Sequence, residues 1–177
     1  MLEPNERRAL LQLARLAIAA RLEGRPFDPP AAVGGLVRRT GAFVTLRHNN
    51  RLRGCLGSVE HDTPLVEVVA RCAGDAATRD PRFPSLPLEE LPEVLLEISV
   101  LGPAEPVADP AEVEVGRHGL IVEQGTLRGL LLPQVPIEWG WGRETFMSQT
   151  CVKAGLAADA WRTGATLFRF EAEVFGE

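Results

Sequence analysis

The stretch RLRGCLG, residues 51–57, is where residue types and spacing first suggest chemistry: a cysteine between two glycines, with two arginines just upstream. Thiolate is the nucleophilic form of cysteine, and a neighbouring cation lowers the thiol pKa from about 8.5. Side chains alternate along a strand. Arg51, Arg53 and Cys55 are therefore expected on one face, and Leu52, Gly54 and Leu56 on the other. Gly54 and Gly57 weaken a strand but let a ligand or another backbone come close. No histidine is placed by sequence to act as a base for Cys55. Two readings stand at this level: a reactive thiol, or a small cysteine packed where nothing larger fits.

Glu97 is the second candidate. It lies in an otherwise apolar strand pattern, where an unpaired carboxylate is costly. The expectation is an ion pair with an arginine, Arg53 first, serving either to orient that arginine or as an acid/base and anion-binding couple. Asp80 and Arg82 flank Pro81 and are expected to lock a turn, with ligand contact as the other reading. Cys72 and Cys151 fall on apolar helix stripes and read as core, although Cys151 could also oppose Cys55 as a redox partner. His48, His61 and His118 lack metal-ligand spacing, so no metal site is expected. No phosphate-binding loop, dinucleotide fingerprint or nucleophile elbow occurs, and no cofactor is indicated.

These residues need elements to hold them. Residues 5–22 carry a helical stripe of Leu10, Leu13, Ala14, Ala17 and Ile18. Residues 41–59 read as a hairpin turning at His48-Asn-Asn50. Asp62-Thr63-Pro64 opens a second helix with Leu65, Val68, Val69, Cys72 and Ala76 on one side. A strand over 93–101 buries Val94, Leu96, Ile98 and Val100. A helical turn is expected over 109–115, and a second hairpin over 119–132 turns at Gly125-Thr126. A helix over 143–154 stops at Gly155, and a strand closes the chain over 166–175. Strands and helices do not alternate as βαβ units, so the fold class is α+β, with mixed or antiparallel sheets and flanking helices.

At 177 residues the chain suits one substantial core. Its net charge of −5 argues against broad nucleic-acid binding. The charge is uneven. Residues 29–59 hold Arg38, Arg39, Arg47, Arg51 and Arg53 and no acid, which suggests either a local anion site or arginines paired with acids from elsewhere. No apolar run is long enough to span a membrane, and three scattered cysteines argue against a disulfide framework. The expectation is a cytoplasmic protein with reduced thiols.

Five blocks carry a family resemblance: LRGCLG at 52–57, DPRFPSL at 80–86, EISVL at 97–101, GLLLPQV at 129–135 and CVKAGL at 151–156. In this order they resemble the AMMECR domain, whose signature is LRGCIG. Leu56 stands where the family usually has Ile, and Gly142 where an Asp is common. The resemblance implies a single domain over residues 1–177 with a larger and a smaller lobe around a cleft, the 52–57 strand lying near its floor. It also implies Memo-type and radical-SAM proteins as partners, since relatives are often encoded beside them. It supplies no settled activity. The functional expectation is a small anionic ligand bound over residues 52–57, with Cys55, Arg53 and Glu97 available for thiol or acid/base chemistry and Arg51, Gly54, Gly57, Asp80 and Arg82 contributing to binding. The alternative is a non-catalytic scaffold acting with those partners.

Overall fold

The computed structural model describes residues 1–59 and 61–177. The chain divides into two compact units, one formed by Met1–Leu101 with Glu173–Glu177 and the other by Gly102–Ala172. Both are α+β with antiparallel strand pairing.

In the first unit, α1 (Pro4–Leu22) begins with proline in its first turn, where a missing N–H costs nothing. The Glu6 carboxylate accepts hydrogen bonds from the backbone N–H groups of Glu3 and, across the chain, Gly35. These bonds hold its pKa below the usual carboxylate value. The stripe Leu10, Leu13, Ala14, Ala17 and Ile18 is buried as its spacing requires. Next come β1 (Ala42–His48) and β2 (Arg51–Ser58). Their turn places Asn49 at φ 50° and Asn50 at φ 60°, the left-handed pair that a two-residue hairpin demands and asparagine tolerates.

α2 (Leu65–Thr78) follows, with Pro64 rather than a polar side chain at its N-cap. β3 (Val94–Leu101) pairs with β1, so β1 lies between β2 and β3. Ala42, Val44 and Leu46 of β1, fully buried, and Val94, Leu96, Ile98 and Val100 of β3 form one core with the stripes of α1 and α2. Cys72 belongs to this core, and burial pushes its thiol up to about 11. A short 3-10 helix, Leu88–Glu93, leads into β3 and has no counterpart in the sequence pattern. Pro92 inside it keeps the segment from becoming a regular helix.

The second unit contains β4 (Glu105–Pro106), a 3-10 turn at Pro110–Glu112, β5 (His118–Gln124) and β6 (Leu127–Leu131). Short helix α3 (Gln134–Glu138), α4 (Arg143–Lys153) and α5 (Ala160–Thr163) follow, then β7 (Thr166–Gly176), whose residues from Glu173 onward belong to the first unit. β7 pairs with β4 and β5, and β5 with β6. Phe146, Met147 and Cys151 of α4 pack against Leu120, Val122 and Leu167 in a separate core. Gly155, at φ 79°, ends α4 as expected. No helix among the described residues is long and apolar enough to cross a membrane.

Candidate functional site: the braced strand at residues 52–57

The two glycines answer to close packing on opposite faces. A methyl on Gly54 would collide with the backbone carbonyl oxygen of Ala76 in α2. A methyl on Gly57 would overlap the ring of Phe43, its cross-strand partner. β2 therefore lies directly on the helix backbone at Gly54, which is closed by packing, whereas Gly57 has the Phe43 ring where a side chain would start and is otherwise exposed.

The register of β1 with β2 shifts between Leu46 and Arg47: Leu46 faces Gly54, whereas Arg47 faces Leu52. Arg53 is the extra residue of the resulting bulge, and a bulge re-aims side chains. This corrects the expectation of a shared face. Arg51 pairs with His48 and Cys55 with Thr45. Thr45 and His48 are three residues apart on β1, so Arg51 projects to the face opposite Cys55. Arg51 is exposed and has no hydrogen-bond or ion-pair partner among the described residues.

Arg53 does not meet Glu97 either. Its Nε donates to Glu90 Oε1 at 2.8 Å, one terminal nitrogen to Glu90 Oε2 at 3.3 Å and the other to the Pro84 carbonyl at 2.9 Å. Only 15% of the Arg53 side chain is exposed. Arg53 holds the Glu90 carboxyl below its ordinary value. His48 joins the cluster, its Nδ1 lying 3.0 Å from Glu90 and its Nε2 3.0 Å from Glu93. The bulge, the hairpin end and the 3-10 helix before β3 are thus tied through one carboxylate.

Cys55 sits on an exposed sheet edge that has been capped. Its backbone N–H donates to Asp80 Oδ2 at 2.9 Å, and its carbonyl lies 3.5 Å from an Arg82 nitrogen. Asp80 also accepts from the Arg82 backbone at 3.1 Å and from the Arg82 guanidinium at 2.9 and 2.7 Å. This is the turn lock that the sequence suggested, and it does more than hold the turn, because the Asp80–Arg82 pair takes the place of a missing neighbouring strand. The Asp80 side chain is 2% exposed, that of Arg82 55%. The Arg82 hydrogen bonds outweigh burial and hold the Asp80 carboxyl at about 2.

The Cys55 thiol accepts a hydrogen bond from Thr45 Oγ1 at 3.3 Å. Burial nevertheless pushes the thiol pKa up, outweighing both that bond and the charge of Arg82. The nearby cation that the sequence offered, Arg53, is committed to Glu90. Thr45 is the centre of a row across three strands, paired with Cys55 on one side and Glu97 on the other. Glu97 is half-buried and forms no hydrogen bond or ion pair with any described residue, so the expected Arg53–Glu97 pair is replaced by Arg53–Glu90. What the row holds is a thiol with a raised pKa, a hydroxyl and one uncommitted carboxylate.

Cys151 is buried in the second core, and all three cysteines are free thiols. No group of three His, Cys, Asp or Glu side chains among the described residues is disposed to hold a metal. Glu90, His48 and Thr45 were not singled out by sequence. Glu90 lies in a run of ordinary surface acids, and only the bulge, a tertiary feature, brings Arg53 to it. An unbulged two-residue hairpin would set Thr45 opposite Gly54, so the Thr45–Cys55 pair also depends on the bulge and was not accessible from the pattern.

The bulged hairpin, the aspartate-capped edge and the packing of α2 define an α+β domain built around its LRGC strand. The AMMECR1 family profile matches residues 11–175, and the chain belongs to that family. It is 47% identical over 181 residues to a protein of Thermococcus gammatolerans, covering 95% of this chain and 88% of that one. With a protein of Methanothermobacter thermautotrophicus it shares 45% identity over 188 residues, 99% and 96% of the respective chains. The crystal structure of the uncharacterised protein PH0010 from Pyrococcus horikoshii has a TM-score of 0.89, with 44% identity over 95% of this chain and 89% of that one.

Proposed function

We propose that this domain is a non-catalytic binding module that takes an acidic segment of a partner protein along the outer edge of β2. The observation that carries this reading is the braced edge of β2: Asp80, bonded to the Cys55 backbone, holds the half-exposed Arg82 guanidinium facing outward, while burial raises the Cys55 thiol above its ordinary value. Arg53, Asp80 and Gly54 are committed to internal structure. Two cations remain outward. Arg82 is half exposed with its orientation fixed by Asp80, and Arg51 is exposed at the start of the strand. An arginine held by one carboxylate keeps further donors for another. The partners proposed are the Memo-type and radical-SAM proteins implied by the family resemblance.

The test uses the purified full chain with a Memo-type and a radical-SAM protein encoded beside a family member. Calorimetry at two ionic strengths should give saturable binding to one of them that weakens with salt. Cys55→Ser should bind like wild type, and Arg51→Glu at least tenfold more weakly. In parallel, a mild alkylating agent at neutral pH should leave Cys55 unlabelled until the protein is denatured, as read by mass spectrometry of its peptides. Rapid labelling of native Cys55 would return the reading to a reactive thiol. Binding of free carboxylates or phosphate with no binding of either protein would return it to a small-anion site. Undiminished binding by Arg51→Glu would overturn the proposed surface.

A further inference from the structure

The second unit contains a cavity of about 450 Å³ remote in sequence from the 52–57 strand, lined by Glu105, Glu114, Arg117, His118, Arg169 and Glu171. Volumes of this order suit small-molecule ligands. His118 is only 5% exposed. Its Nδ1 accepts a hydrogen bond from the Glu114 backbone N–H at 3.0 Å. A nitrogen that accepts cannot carry the ring proton, so the neutral imidazole bears it on Nε2. That Nε2–H donor has no hydrogen-bond partner among the described residues, and it is not one of the atoms sealed from solvent. A buried side chain that lines the cavity thus keeps one unused donor.

Around it, acceptors outnumber cations. Arg117 is shared between Glu171 at 2.8 Å and Glu114 at 3.1 Å. Arg169 is shared between Glu105 at 3.4 Å and Glu112 at 3.3 Å. With Glu112, outside the lining, also drawing on Arg169, the two guanidinium groups face the three lining carboxylates Glu105, Glu114 and Glu171, which gives the site a negative balance.

We infer that this cavity is a binding site for a small organic primary amine carrying an oxygen acceptor, the ammonium lying among Glu105, Glu114 and Glu171 and the oxygen receiving the His118 Nε2–H bond. A plain anion meets the wrong charge here, and an apolar molecule leaves the imidazole donor unpaired. This site is independent of the β2 edge, so either proposal can fail without the other.

Ethanolamine and glycinamide are the probes, with ethylamine lacking the acceptor and acetate lacking the cation. The full-length protein, labelled with ¹⁵N at histidine, is titrated with each at low ionic strength. Ethanolamine or glycinamide should move the His118 ring resonances saturably and bind at least threefold tighter than ethylamine, while acetate should move nothing. His118→Asn keeps an oxygen to accept the Glu114 N–H and removes the donor at Nε2. It should abolish the preference over ethylamine, read on backbone amides of β5. Glu171→Gln, at a 60% exposed side chain, should weaken both amines by about threefold or more. No saturable shift with either probe, equal affinity for ethylamine, or unchanged binding in Glu171→Gln overturns the assignment.

Discussion

Asp80 is buried against three donors: the Cys55 backbone, the Arg82 backbone and the Arg82 guanidinium. Removing a buried acceptor leaves its donors unsatisfied, so Asp80→Ala should cost about 1–3 kcal/mol in urea unfolding. Its carboxyl titrates at about 2 in the folded chain against an ordinary 3.8. A depressed folded value means the stabilisation is complete above about pH 4 and fades as the pH falls through about 2. Asp80→Asn should therefore flatten the acid limb of a stability–pH curve, and an acid limb identical to wild type would show the carboxylate to be irrelevant. Glu97 stands in contrast. With no ion pair to lose, Glu97→Gln should change stability by no more than about 0.5 kcal/mol. A loss of several kcal/mol would show a buried charge pair after all. Sequence identified both acids as unusual, one beside Pro81 and one inside an apolar strand, and gave Asp80 its Arg82 partner, but not its bond to Cys55, and it assigned Glu97 an arginine that pairs with Glu90 instead. Those contacts depend on which strand edge and which helix end come together in space.

At the level of elements, periodicity served well wherever one face is buried. The stripes of α1, α2 and α4, the alternation of β3 and the two hairpins all follow from spacing, because burial imposes the same period on sequence and structure. The bulge in β2 did not show. One inserted residue leaves the alternating pattern readable while reversing the side to which Arg51 points. The short elements at Gly34–Val37, Gln134–Glu138 and Ala160–Thr163 were also missed, each too brief to repeat a pattern. Gly54 carries the element-scale prediction. The obstacle to a side chain there is backbone, the Ala76 carbonyl, which cannot swing aside. Gly54→Ala should cost about 1–3 kcal/mol by overpacking. Thermal unfolding at wild-type temperature would mean that α2 can retreat from the strand at little cost.

For the whole molecule, the AMMECR1 relationship and the α+β class were both legible, the first from five short blocks and the second from the order of elements. Five arginines in an acid-free segment left open either a shared anion site or arginines paired elsewhere, and three of them follow the second reading: Arg38 bonds the Gly35 carbonyl, Arg39 the Asp62 carbonyl and Arg53 Glu90. Long side chains from one stretch of chain disperse to whatever acceptors the fold supplies, so clustering in sequence overstates clustering in space. The hydrophobic residues likewise collect into two cores, one in each unit, rather than the single core that length alone suggests.

The capped edge of β2 bears on how the protein behaves in crowded or acidic surroundings. An uncovered strand is a template on which a second molecule can add its own strand, the first step toward fibres. At Cys55 that template is closed by a carboxylate, a lock opened by protons. Below about pH 2, where Asp80 becomes neutral, the outer row of β2 should become available to other chains. The expected result is concentration-dependent assembly that binds thioflavin T, appearing at a higher pH in Asp80→Asn than in wild type. Equal onset in the two proteins would place the origin of any such fibres elsewhere in the chain.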